Sequence, residues 1–246
     1  ALGSGTPTGE GSVAVGFQAL ALLSSGADNL AIGHGASSLL TTGANNTVVG
    51  QHAFDAAAND ESDNVVIGLG AMGAAKQDGT ASATNREVKQ NIAIGSGALM
   101  GGTLASTNHL QACIAIGHNA LDATNDNHHI GTIAIGYAAL GALTSGSDNL
   151  AIGWESLDAC NTGSQNVGVG IMALSATDDG TSNTAIGAYS MQLGNAGVGN
   201  TALGCQTMID VTGSHNVAIG FQSLLDLTSG GSNIAIGSSS MKAMVG

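Results

Sequence analysis

Few residues in this chain carry chemistry, and they are gathered in its middle. Lys and Arg together number 4 against 17 Asp and Glu in 246 residues, with 7 His, 3 Cys and 1 Trp. His109 and the pair His128-His129 stand near Asp122 and Asp126. Imidazole plus carboxylate is a donor set for a divalent metal, but this spacing matches no ligand signature. The expectation is exposed loop histidines and no metal. Glu155 with Asp158, and Asp178 with Asp179, are the acids that a glycan-cleaving enzyme would need as a pair across the scissile bond. Neither pair recurs along the chain, so no catalytic residue and no enzyme is expected. Gly68-Leu-Gly70-Ala-Met-Gly73 spells G-x-G-x-x-G without a βαβ unit around it, so no cofactor is expected.

Two other groups suit binding. His118, Tyr137 and Trp154 recur at nearly equal spacing, with Asn119 and Glu155 each one residue on. An aromatic face beside a polar group suits a sugar ring, which is apolar on one flank and hydroxylated at its edge. The competing reading is that these rings cover a seam. Lys76, Arg86 and Lys89 are three of the four basic residues and fall in one irregular stretch. That stretch reads as a projecting loop that contacts a receptor or neighbouring protein, or as a solvated insertion.

All of these residues hang on one repeat. Asn-x-Ala-Ile-Gly or a near variant closes at Gly16, Gly33, Gly50, Gly68, Gly95, Gly117, Gly136, Gly153, Gly170, Gly187, Gly204, Gly220 and Gly237. The intervals are 17, 17, 18, 27, 22, 19, 17, 17, 17, 17, 16 and 17. A period that covers the chain is read before any local motif. Positions are counted here from each closing glycine as zero. Positions −3 and −1 are large and mostly β-branched, and −2 is Ala, Val or Gly. That alternation, bounded by Asn and Gly, reads as a short strand. Its larger side chains at −3 and −1 are expected to face the core, with −4 and −2 on the other side. Leu, Met or Phe at +4, Ser37 excepted, marks a second short element. It is expected to be a strand or a single helical turn. Glycines at −7 in eight repeats, Gly26 and Gly146 among them, follow Ser/Thr-rich pairs and read as turns.

One such unit buries nothing alone; stacked units share a core and pair their strands. The fold expected is all-β, a parallel β-solenoid of about 13 coils with a repeat of about 17 residues. It forms one repeat domain over residues 12–246, irregular at 73–132, after a connecting segment at 1–11. Position −4 is Asn29, Asn46, Asn64, Asn91, Asn149, Asn166, Asn183, Asn200, Asn216 and Asn233. In-register stacking predicts that these amides bond one another in a structural ladder.

Composition narrows the partners. Aromatics are 2%, charged residues 9% and the net charge −13, so no nucleic-acid partner is expected. Apolar runs are short and interrupted, so no membrane insertion is expected. Cys113, Cys160 and Cys205 fall at −4, +7 and +1, three different files, which argues against a disulfide framework. Neither end reads as an amphipathic cap, so neighbouring fibre domains are expected at one or both ends. Small residues at −2 and +3 suggest a flat stripe along which like chains pack, or one that binds ice.

The phrase Asn-x-Ala-Ile-Gly-x-x-Ala-Leu followed by Thr-Ser-Gly-x-x-Asn, best copied at 137–153 and 221–237, resembles the repeats of bacteriophage tail fibres. It is also similar to the shorter head repeats of trimeric autotransporter adhesins. The resemblance spans residues 12–241. It implies a left-handed β-roll in a homotrimer, extracellular on a virion or bacterial cell surface. It implies a structural and adhesive role against a host-surface glycan or protein receptor, with no catalytic residue carried over. The alternatives are a glycan- or ice-binding solenoid and a tailspike glycan depolymerase.

Overall fold

A computed structural model describes residues 10–77, 88–104, 109–124, 128–194, 197–226 and 229–242. The chain forms two compact units, Ala1–Thr132 and Ile133–Gly246. Each is a parallel β-solenoid with a spacing near 17 residues, and no helix occurs among the described residues.

In the first unit the main strands are β1 (Val13–Val15), β2 (Leu30–Ile32), β3 (Thr47–Val49), β4 (Val65–Ile67), β7 (Ile92–Ile94) and β10 (Ile114–Ile116). They pair in parallel and in register in that order, with Ala14 on Ala31 and Val48 on Val66. Between them, β5 (Lys76–Gln77) pairs with β8 (Thr103–Leu104). A further ladder joins β6 (Val88–Lys89), β9 (Leu110–Gln111) and β11 (His129–Ile130). Val88, Leu110 and His129 occupy the −7 position that is glycine in regular coils, and all three are buried. The described strands of the irregular zone thus stay stacked in parallel. In the second unit, β12 (Ile133–Ile135), β13 (Leu150–Ile152), β14 (Val167–Val169), β15 (Thr184–Ile186), β16 (Thr201–Leu203), β17 (Val217–Ile219) and β18 (Ile234–Ile236) pair in sequence order.

The strand alternation is as expected, but the core lies on the opposite face. The −2 residues Ala31, Val66, Ala93, Ala151 and Ala218 are fully buried, while Ile32, Ile67, Ile152 and Ile186 at −1 are exposed. The cause is the narrowness of the coil. Its interior is already filled by the +4 side chains, Leu20, Phe54, Met72, Leu157 and Leu174 among them, and by Leu40 and Leu143 at +7. Only a small residue fits opposite them. At Gly168 an added Cβ would lie 2.7 Å from Ser156 Oγ, so that hydroxyl would have to turn aside. The alanine stripe is thus inside, and the packing and ice readings built on its exposure are corrected.

The second element is neither a strand nor a helical turn. It is a run of tight turns, as in Ser156 N–H to Gly153 O (3.4 Å) and Cys160 N–H to Leu157 O (3.1 Å). The residues at +2 and +4 take left-handed φ, 50° at Glu155 and 54° at Leu157. Each such non-glycine residue costs on the order of 1 kcal/mol. The cost is offset because the turned amides reach adjacent coils: Glu155 N–H bonds Tyr137 O and Leu157 N–H bonds Ala173 O, both at 2.9 Å.

The asparagines at −4 stand inside the coil and bond along its axis. Asn46 and Asn64 each donate Nδ2 to the Oδ1 of the preceding file member, at 3.0 and 3.1 Å. Where an asparagine precedes it in the file, the backbone N–H also reaches that Oδ1, as Asn166 does to Asn149 at 3.0 Å; Asn29 N–H donates instead to Ser12 Oγ at 3.1 Å. The same Nδ2 groups cap the −7 carbonyls, Asn166 bonding Gly180 O at 2.7 Å. Cys113 takes over the backbone role, donating N–H to Asn91 Oδ1 at 3.0 Å.

Candidate functional site

Two surface features have the makings of a site. The first is the outward face of the main sheet. In the second unit its −3 file reads Ile133, Leu150, Val167, Thr184, Thr201, Val217, Ile234, and its −1 file reads Ile135, Ile152, Val169, Ile186, Leu203, Ile219, Ile236. Neither file holds a charge. Ile234 and Ile236 are 68% and 67% exposed, and the rest are half-buried or exposed. The first unit presents the same two files, from Val13 and Val15 to Ile114 and Ile116. Large exposed apolar patches are the kind of surface that marks sites of interaction.

The second feature lies just past the closing glycine, in the second unit. Tyr137 and Trp154 occupy +1 in consecutive coils and are half-exposed. Their rings are nearly parallel, 16° apart, with centroids separated by 6.1 Å. Each ring covers part of the other's face. In the coil of Trp154, Glu155 stands at +2 and Asp158 at +5, both half-buried. Burial, and then the charge of Glu155, push the Asp158 carboxyl above its ordinary value; backbone amides of Asp158 and Ala159 pull the other way. Asp158 Oδ1 is buried without a hydrogen-bond partner among the described residues.

The other sequence candidates are placed as follows. His118 and Asn119 belong to the coil of Gly117 in the first unit, with Asp122 at +5 in the same coil. Burial raises the Asp122 carboxyl, while His118 lowers it. Lys76 and Lys89 lie in the short strands β5 and β6, and Arg86 lies outside the described residues. His109 and His128 do meet, with rings edge to face at 5.2 Å. The His109 backbone N–H donates to His128 Nδ1 at 3.3 Å. His129 is buried, its Nε2 3.3 Å from Thr124 O. Asp126 lies outside the described residues, among which no group of three metal-ligating side chains occurs. The Asp178 carboxylate accepts from Asn161 Nδ2 at 2.7 Å. Glu155 and Asp158, weighed in the sequence as an acid pair, stand at +2 and +5 of one coil. His52 and Asp55 hold the same two positions in the coil of Gly50, with His52 Nδ1 3.0 Å from Asp55 Oδ2.

Comparison with family models, curated proteins and solved structures finds no match.

Proposed function

We propose that this chain is a structural and adhesive segment of an extracellular trimeric fibre, on a virion tail or bacterial cell surface. The observation that carries the reading is the outward face of the sheets. A single chain leaves two files of Ile, Val, Leu and Thr in water, coil after coil. Burying such side chains contributes about 25 cal/mol per Å². The partner that matches a face repeating every coil is one that repeats at the same spacing, and another copy of this chain does so. The likeness of the repeats to tail fibres and trimeric adhesins supports a left-handed roll with three copies about an axis. Attachment to a host-surface glycan or protein then gains from three copies acting together.

Lysine placed in the face tests this. Ile152→Lys with Ile186→Lys keeps the coil interior intact, since both side chains point outward. The expected result is chains of single mass that keep wild-type β circular dichroism. An unchanged oligomer mass would overturn the assignment of this face.

A further inference from the structure

His34 and His52 stand on consecutive coils of the first unit, at +1 and +2, and both are exposed. The His52 backbone N–H donates to His34 O at 2.8 Å, which fixes one residue against the other. Their ring centroids are 4.9 Å apart, with the planes tilted by 55°. The His34 ring also meets Phe17 of the coil before, at 5.4 Å. Gly35 leaves room for the His52 ring, since an added Cβ would lie 2.9 Å from His52 Nδ1.

A neighbour sets the proton on His52. Its Nδ1 lies 3.0 Å from Asp55 Oδ2, and a carboxylate only accepts. Nδ1 therefore carries the proton, and the lone pair of the neutral ring is on Nε2. Metal-binding histidines are commonly held in this way, because the carboxylate orients the ring and makes it a stronger ligand. Two imidazoles bonded to one tetrahedral zinc at about 2.0–2.1 Å have ring centres about 5 Å apart. Separation alone does not single out His34 and His52, since the rings of His109 and His128 are 5.2 Å apart. Protonation does. His128 Nδ1 accepts the His109 N–H, so the proton of its neutral ring is on Nε2 and neither nitrogen offers a free lone pair. His109 Nδ1 is buried.

We propose that His34 and His52 bind a divalent late transition metal, zinc or copper, through one nitrogen each, with Asp55 as the positioning residue behind His52. Two protein ligands leave the other coordination positions to water, so the site is open and exchangeable. Imidazole donors favour zinc and copper over magnesium and calcium, which take oxygen ligands. A chain with a net charge of −13 also draws cations to its surface. The site stands within the first unit and is independent of the assembly reading.

Calorimetric titration of the full chain with zinc chloride tests this. One zinc per chain is expected, and excess magnesium or calcium should not displace it. His34→Gln or His52→Gln should abolish binding, with wild-type β circular dichroism because both side chains are exposed. Asp55→Ala keeps both ligands and should weaken binding about tenfold or more. Nitrogen NMR of the imidazoles should place the His52 proton on Nδ1 in the native chain and no longer in Asp55→Ala, a change that a merely structural role would not produce. His109→Gln with His128→Gln should leave binding unchanged. No heat on adding zinc, binding that survives both His34→Gln and His52→Gln, loss of binding in the His109 and His128 variant, or a native His52 proton on Nε2 would each overturn the proposal.

Discussion

Asn216 donates its Nδ2 to Oδ1 of Asn200 at 3.1 Å, across 16 residues of sequence and inside the coil. The same Oδ1 also accepts the Asn216 backbone N–H at 3.0 Å. One amide oxygen thus fixes both a side chain and a strand end of its neighbour. That double use explains why ten of the thirteen positions in this file are Asn, with Ser12, Cys113 and Thr132 in the other three.

Asn166→Ala should therefore be costly. It removes the acceptor of Asn183 N–H (3.0 Å) and the donor to Gly180 O (2.7 Å). Each buried group left unsatisfied costs about 1–3 kcal/mol. Chemical denaturation should show a loss of about 2–5 kcal/mol, against a change within about 0.5 kcal/mol for exposed Gln165→Ala.

The closing glycines are held by contact as well as by conformation. At Gly33, φ is +138° and an added Cβ would meet the Gly50 carbonyl, a backbone atom. At Gly70, φ is +60° and an added Cβ meets nothing within 4 Å. Gly70→Ala should cost on the order of 1 kcal/mol from the backbone alone. Gly33→Ala adds overpacking, about 1–3 kcal/mol more. Thermal unfolding of the two variants side by side should show Gly33→Ala, which is both more strained in φ and in contact, as the more damaging.

Much of this was legible in the sequence. The period placed every main strand, because a closing Gly follows the three residues of each and Asn precedes them in ten of thirteen coils. Which face is inside was not legible from alternation alone, since a period of two defines two faces without ranking them. Size suggested that Ile152 was core, yet Leu157 had already filled the coil. The parity of Asn149 with Ala151, both inward, was the usable clue. The turns at +2 and +4 were hidden because Glu155 and Leu157 adopt left-handed φ with no glycine to announce it. Val88, Leu110 and His129 at −7 form one stacked file, which unequal intervals obscured.

Thiol reactivity should separate the cysteines. Burial pushes Cys113 and Cys160 up to about 11 each, so both stay protonated and shielded at neutral pH. Cys205 is exposed. A disulfide reagent should titrate one thiol rapidly in the native chain and three after denaturation. Rapid reaction of all three in the native chain would contradict the burial of the first two.

Stability should fall as pH rises through the acidic range on account of Asp122 and Asp158. Both carboxyls are raised above 3.8, chiefly by burial. The folded state then holds these protons more tightly than the unfolded state. Their stabilising contribution is complete below about 3.8 and is lost as pH climbs through the raised values. Asp158→Asn should flatten part of that slope in melting temperature as pH rises above about 4.

The exposed isoleucine files are tested most directly by mass. Light scattering of the purified chain should give three times its 23.8 kDa. A stable species of one chain mass, with those files in water, would contradict the fibre assembly.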